Sequence, residues 1–147
     1  MTSKELDNLV KVGLLKAERG DENELAGLLE SGRKRLIDAR KQALAPDSRF
    51  DLAYNAAHAL SLAALRWHGY RPVKRFVVFQ ALAHTLDLGP EIWRVLDKCH
   101  GIRNSIEYEG YAHVEMQLLA DLLNATEVVL DAVVKLGPLP ATSPGRN

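Results

Sequence analysis

Apolar side chains recur along most of the chain at intervals of three and four residues, the spacing that places them on one face of an α-helix. Glycine and proline interrupt this pattern, and no segment between the interruptions alternates with the period of two expected of a half-buried strand. The sequence therefore predicts an all-α fold, an up-and-down bundle of five or six helices. The six predicted helices cover about residues 3–18, 23–44, 48–68, 74–86, 90–108 and 112–136.

The predicted helix boundaries rest on a few capping and breaking residues. Thr2 or Ser3 is expected to cap the first helix, and Asp47 the third, because their side chains can accept a first-turn amide. Gly32 is a weak point in the second helix, costing about 1 kcal/mol relative to alanine. We expect residues 1–137 to form one domain and residues 138–147, which contain three prolines, to form a flexible tail.

The third predicted helix is unusually rich in alanine. Small side chains allow the backbone of a neighbouring helix to come close, so this helix is expected to be the centre of the bundle or the seam of a dimer. Its alanines are Ala53, Ala56, Ala57, Ala59, Ala63 and Ala64.

Composition is that of an ordinary globular protein, with 47% hydrophobic and 26% charged residues among 147. The single cysteine, Cys99, cannot form an internal disulfide, which favours a reducing compartment. The amino terminus lacks the apolar stretch of a signal peptide, and no apolar run approaches membrane-spanning length. These features predict a cytoplasmic protein without a membrane partner.

The formal net charge is zero, yet the charges are unevenly distributed. Residues 33–49 hold six basic and two acidic side chains, whereas residues 104–134 hold six acidic side chains and neither lysine nor arginine. Each run can be the solvated face of an amphipathic helix. The alternative is that the basic run faces a phosphate backbone.

The segment 100–111 gathers the side chains best suited to ligand binding. Helical rotation places Arg103 and Glu107 on one face and Asn104 and Tyr108 on the adjacent one. One interpretation is an Arg103–Glu107 surface ion pair, with Tyr108 half-buried and its hydroxyl satisfied. The other is that Arg103 binds a phosphate through two hydrogen bonds while Asn104 and Tyr108 orient it.

Three features together resemble the HEPN family (higher eukaryotes and prokaryotes nucleotide-binding): the alanine-rich segment 50–60, the turn at Gly69-Tyr70-Arg71, and the Arg103-Asn104 pair. The resemblance covers about residues 6–136. It implies a helical bundle, commonly paired as a homodimer, in which motif arginines of both subunits line a shared cleft. Many members are metal-independent ribonucleases and toxins of toxin–antitoxin or phage-defence systems; others bind nucleotides, RNA or protein partners without catalysis.

The chain departs from the motif of the active members, in which a histidine follows the arginine after four to six residues. Tyr108, Glu109 and Gly110 occupy the equivalent positions. Tyrosine, with an ordinary pKa near 10, is a far weaker base than imidazole. Arg103 and Asn104 therefore carry over as candidate phosphate or ribose contacts, and the catalytic histidine does not.

Other histidines offer a substitute only from displaced positions. His100 precedes Arg103 by three residues and His113 follows it by ten, whereas His58 is expected to be a hydrogen-bonded core residue with Tyr54 one turn earlier. Cys99 next to His100 is a poor nucleophile because neighbours in a helix point in different directions. The sequence lacks the spacings of a metal site or a phosphate-cradling glycine loop, so neither metal nor cofactor is predicted.

Two functions follow from these residues and from the resemblance. In the first, a HEPN-like homodimer binds RNA, a nucleotide or a partner protein, with a cognate antitoxin or nucleotidyltransferase among the possible partners. In the second, it is a metal-independent ribonuclease in which Arg103 stabilises the phosphate and Tyr108 or a displaced histidine transfers protons. A purely structural role is the third alternative. The candidate ligand-binding residues are Arg103, Asn104, Tyr108, His100, Arg71 and Lys74, with Arg66 and Arg75 completing a basic rim.

Overall fold

The computed structural model describes residues 3–109 and 114–140, and it confirms that the chain is mainly helical. Four long helices form a bundle, and the shorter elements pack at its end. The elements in chain order are α1 Lys4–Lys11, β1 Leu15–Ala17, α2 Glu22–Ala39, α3 Pro46–Trp67, β2 Tyr70–Pro72, α4 Val77–Gln80, α5 Leu82–Thr85, α6 Pro90–Glu109 and α7 Met116–Leu136.

The starts of the first three helices follow capping chemistry. Ser3 caps α1 by accepting a hydrogen bond from the Leu6 amide, as predicted, and Asp21 caps α2 by accepting one from the Glu24 amide at 2.8 Å. The prediction that Asp47 caps α3 was wrong. Ala45 is the cap residue and Pro46 begins the helix, because proline has no amide hydrogen that needs a partner there.

The expectation that the chain lacks strands was also wrong. The first helix ends at Lys11, and Gly13, with φ of 84°, turns the chain into β1. Strand β1 pairs antiparallel with β2, with Lys16 opposite Arg71. Each strand has only three residues, too few to produce a recognisable alternation of apolar and polar positions.

The predicted helix 74–86 is shorter and divided. It begins only at Val77 and consists of two single turns, α4 and α5, that meet at Ala81. The Ala81 carbonyl accepts hydrogen bonds from the amides of His84 and Thr85, so the chain stays compact across the break. Residues 74–76 consequently lie in a loop ahead of α4.

Helix α3 is the central helix, as its alanines predicted. It packs against α2, α6 and α7, and its buried face carries Phe50, Leu60 and the small residues between them. A second, smaller apolar cluster, which includes Leu6, Leu15 and Leu65, joins α1, the two strands and α4 to the end of α3.

The guanidinium of Arg66 joins the segments at that end of the bundle. Its side chain is 2% exposed, and it forms ion pairs with the carboxylates of Glu18 and Glu24 at 3.1 and 3.0 Å. It also donates hydrogen bonds to the backbone carbonyls of Glu18, Arg19 and Tyr70. A buried charge of this kind needs such complete pairing. The expected place of Arg66 in a phosphate-contacting rim was therefore wrong.

The first residues of the predicted tail contact the bundle. The Trp67 indole Nε1 donates to the carbonyls of Gly137 and Pro138, each at 3.2 Å, after Gly137 turns the chain with φ of 76°. Residues 141–147 lie outside the described residues. Within the described part of the chain, no helix is both long and apolar enough to cross a bilayer.

The Gly32 position distinguishes helix propensity from packing. A Cβ at Gly32 would lie 2.5 Å from Leu60 Cγ, a buried side chain of α3, whereas a Cβ at Gly27 of the same helix meets nothing within 4 Å. We expect Gly32→Ala to destabilise the protein by about 1–3 kcal/mol through overpacking, despite its better propensity. Gly27→Ala should stabilise by about 0.5–1 kcal/mol. Urea unfolding measures both, and a stabilising Gly32→Ala would contradict the close approach.

Candidate functional site

Polar side chains from α3, α6 and the loop before α4 meet on one side of the bundle. On α3 they are three and four positions apart, and on α6 they follow the same helical spacing, so each helix directs one face toward the other. We call this group the Arg103 cluster. Its members are Asp51, Tyr54, His58, Arg75, His100, Arg103, Asn104 and Glu107.

A small cavity of about 70 Å³ lies within the cluster. Pockets that enclose a drug-sized ligand measure about 300–1,000 Å³, so this cavity has room for a phosphate-sized group and not for a nucleoside. Its walls come from three separate segments and are almost wholly polar. The lining residues are Tyr54, Arg75, His100, Arg103, Asn104 and Glu107.

Arg103 is held between two carboxylates. Its Nε lies 2.9 Å from Asp51 Oδ1 and its Nη1 lies 3.8 Å from Glu107 Oε2. The buried Nε–H nevertheless has no hydrogen-bond partner in the described chain, because the short contact with Asp51 is an ion pair whose angle is unsuitable for a hydrogen bond. The predicted Arg103–Glu107 pair is confirmed, and Asp51 is the closer partner that the sequence analysis missed.

His100 connects the two helices through both ring nitrogens. Its Nδ1 lies 2.9 Å from the Tyr54 hydroxyl, and its Nε2 lies 3.3 Å from Asn104 Nδ2. When Asn104 Nδ2 donates to His100 Nε2, that ring nitrogen carries no hydrogen, so the hydrogen of the neutral ring lies on Nδ1. His100 Nδ1–H then donates to the Tyr54 hydroxyl oxygen. The hydroxyl proton of Tyr54 then remains available to a ligand. Burial raises the pKa of Tyr54, which keeps the hydroxyl protonated.

His58 is hydrogen-bonded, as expected, but it is half-buried beside Tyr54 and is not a core residue. Its Nε2 accepts a hydrogen bond from Arg75 Nε at 3.3 Å, and its ring packs edge-on against Phe79. Burial lowers the pKa of His58 to about 4, with the positive charge of Arg75 acting in the same direction. His58 is therefore neutral near pH 7.

Arg75 is an exposed guanidinium on the wall of the cavity. Among the described residues it forms a hydrogen bond with neutral His58 and has no ion pair with a carboxylate. Arg75 and Arg103 thus bring two positive charges to one cavity, beside the donors of Tyr54 and Asn104. This donor set suits an oxyanion such as phosphate, which accepts several hydrogen bonds at once.

Other candidate residues lie outside the cavity. The expected half-burial of Tyr108 was wrong: its side chain is 84% exposed. Arg71 pairs with Glu18 and Glu24 beside the strands, and Lys74 is exposed and does not line the cavity. The candidate His113, together with Gly110, falls outside the described residues.

Cys99 does not supply a nucleophile. It is buried, and burial raises the pKa of its thiol to about 12, so the reactive thiolate is scarce at neutral pH. In residues 3–109 and 114–140, no group of three or more histidine, cysteine, aspartate or glutamate side chains is placed to hold a metal ion.

The members of the cluster that the sequence analysis did not place were detectable in part. Asp51, Tyr54 and His58 stand at positions i, i+3 and i+7 of one helix, a spacing that assigns them to one face. Arg75 was expected in the basic rim, and its place on the cavity wall depends on the loop between β2 and α4, for which periodicity gives no signal.

Comparisons with family models, with curated proteins and with solved structures gave no match for this chain. The geometry of the Arg103 cluster is accordingly the basis for assigning a function.

The low pKa of His58 makes the folding stability of the protein decrease as the pH falls. Because the pKa is about 4 in the folded chain and 6.5 ordinarily, the unfolded chain binds the proton first as the pH falls. Stability due to neutral His58 is complete above pH 6.5 and is lost between pH 6.5 and 4, by up to about 3 kcal/mol. His58→Gln should reduce this loss in urea unfolding, whereas His84→Gln, at an exposed site, should not. Identical pH profiles for wild type and His58→Gln would refute the assignment.

Proposed function

We propose that this chain is a HEPN-like module that binds RNA through a backbone phosphate held in the cavity of the Arg103 cluster. The observation that carries the proposal is the pairing of Arg75, which lacks a carboxylate partner in the described chain, with Arg103 across a phosphate-sized cavity. Asn104 and the Tyr54 hydroxyl add uncharged donors to the same space.

Two carboxylates, those of Asp51 and Glu107, pair with Arg103 and would have to release it to a phosphate. Asp51 is 51% and Glu107 61% exposed, so both side chains can move into solvent when a phosphate enters. An exposed ion pair contributes only about 0–1 kcal/mol, whereas a hydrogen bond to a charged group contributes about 1.5–3 kcal/mol. A phosphate that hydrogen-bonds both arginines therefore competes successfully with the two carboxylates.

The dimensions of the cavity favour a polynucleotide over a free nucleotide. A space of about 70 Å³ accepts a phosphate and leaves the sugar and base on the surface. Tyr108 lies one helical turn beyond Asn104 and exposes its ring, which offers a base a surface for stacking. Exposed Lys74, next to Arg75, extends the positive charge along the same side. Such neighbouring contacts increase the binding affinity for RNA more than the affinity for a mononucleotide.

A homodimer is part of the proposal. One copy encloses a cavity that is small and open at the surface, and a second copy facing α6 would supply further walls and a second pair of arginines. The HEPN resemblance implies this arrangement, in which both Arg103 side chains line one cleft.

Binding is favoured over catalysis because the histidines of the cluster are poorly suited to proton transfer. Both ring nitrogens of His100 are engaged, by Tyr54 and Asn104. His58, with a pKa of about 4, is a weak base, and its Nε2 already accepts a hydrogen bond from Arg75. General acid–base catalysis is most efficient when the pKa lies near the working pH.

Charge substitutions test the proposed phosphate contacts. We expect Arg75→Gln and Arg103→Gln each to weaken binding of a fluorescein-labelled single-stranded RNA about tenfold or more. Each should also reduce the slope of log affinity against log salt concentration by the contribution of about one phosphate contact. Asp51→Asn should tighten binding about fivefold, since it removes the competing carboxylate. Fluorescence anisotropy at several salt concentrations measures all three, and light scattering on the same samples reports the dimer.

Lys98→Gln is the matched control, because it removes one positive charge from an exposed position of α6 that does not line the cavity. It should leave the affinity within about twofold of wild type, as expected of a weakly interacting surface charge. Equal losses for Lys98→Gln and Arg103→Gln would mean nonspecific attraction. Weaker binding by Asp51→Asn would mean that Asp51 positions Arg103 and does not compete with the ligand.

A metal-independent ribonuclease is the second candidate, and the Tyr54–His100 contact favours it. In this alternative the His100 ring relays a proton through the Tyr54 hydroxyl at the edge of the cavity, while Arg103 stabilises the phosphate. Tyr108, the proton-transfer group first considered, is exposed and does not line the cavity.

Incubation with a mixed RNA pool in EDTA distinguishes the two candidates. We expect the RNA to remain intact on a denaturing gel, because both histidines of the cluster are engaged and one is a weak base. Cleavage that Arg103→Gln and His100→Gln both abolish, with Lys98→Gln still active, would replace the binding proposal with the ribonuclease.

A further inference from the structure

A second pocket lies on the opposite side of α3 from the Arg103 cluster. Ala63 and Trp67, which line it, are nine residues beyond Tyr54 and His58, about two and a half helical turns, and so they face the other way. We call this pocket the apolar groove. Its volume is about 420 Å³, and its principal walls are Leu25, Ala26, Leu29, Trp67, Val133 and Leu139.

The groove is enclosed by four segments, α2, α3, α7 and the stretch that follows α7. Trp67 donates its indole hydrogen bonds to the carbonyls of Gly137 and Pro138, which holds Leu139 against the pocket. The volume lies in the range of small-molecule sites.

Charge marks the two ends of the groove. Glu22 and Arg33 both line it and are eleven residues apart on α2, a separation of about 16 Å. Glu22 lies in the first turn, where the positive end of the helix dipole stabilises a carboxylate. Arg33 has no hydrogen-bond or ion-pair partner among the described residues. One end of an apolar pocket therefore offers an uncompensated guanidinium.

We propose that the apolar groove binds a small amphipathic carboxylate, with its hydrocarbon chain along Leu25 and Leu29 and its carboxylate on Arg33. A guanidinium binds a carboxylate through two parallel hydrogen bonds, which fixes the orientation of the chain in the groove. Glu22 at the far end disfavours the reverse orientation, since it would repel the carboxylate.

Titration calorimetry with decanoate, below its micelle concentration, tests the proposal on the full chain. We expect saturable binding with one site per chain that Arg33→Gln weakens about tenfold. Lys34→Gln, which removes the neighbouring positive charge of α2, should bind as wild type does. Decanol and decyltrimethylammonium, which share the chain and lack the carboxylate, should bind at least tenfold more weakly.

Ala26→Phe provides an independent test, because Ala26 is an exposed helical position whose enlargement fills the groove without entering the core. Decanoate binding should be lost while the unfolding midpoint is retained. The proposal is overturned if decanoate does not bind, if Arg33→Gln binds it as tightly as wild type, or if the ammonium probe binds equally well. A change of oligomeric mass in Ala26→Phe would instead assign the groove to a second copy of the chain.

Discussion

The packing of α2 on α3 depends on the absence of a side chain at Gly32, because Leu60 occupies the space that a Cβ would take. This close approach, together with the alanines of α3, lets a single helix be surrounded by the other long helices of the bundle. Because α3 is fixed in this way, Tyr54 is directed toward α6 and His58 toward Arg75 and α4 on one side. Ala63 and Trp67 are directed toward α2 and α7 on the other. Both proposed sites are consequences of how this helix is packed.

Four arginines illustrate how the same side chain serves different purposes. Arg66 is buried and completely paired, so its charge is used to join segments of the fold. Arg103 is 29% exposed and shares its charge with Asp51 and Glu107, which leaves it able to exchange partners. Arg75 and Arg33 lack a carboxylate partner in the described chain, and each lines a pocket. Pairing and burial therefore separate structural arginines from candidate binding residues, whereas the sequence placed Arg66 and Arg75 in the same basic rim.

The sequence predicted the long helices and the central place of α3 because periodicity and small side chains are local signals. It did not reveal that Leu60 closely approaches Gly32, and it missed β1 and β2, whose pairing joins residues far apart in the chain. The candidate residues Arg103, Asn104 and His100 lie on one helix beside the same cavity. The contact of Asp51 with Arg103 depends on how α3 packs against α6, which local spacing does not give. Arg75 was named for the basic rim, but its position at the cavity depends on a loop. The exposure of Tyr108 depends on which face of α6 is covered.

The two faces of α3 also have a consequence for communication between ligands. A helix packed this tightly against its neighbours cannot rotate or slide by small amounts, since interiors at close-packed density resist partial displacement. One route by which a ligand on one side alters affinity on the other is a rigid movement of α3 between two alternative positions. Any such coupling must be reciprocal, so each ligand would change the affinity for the other by the same factor.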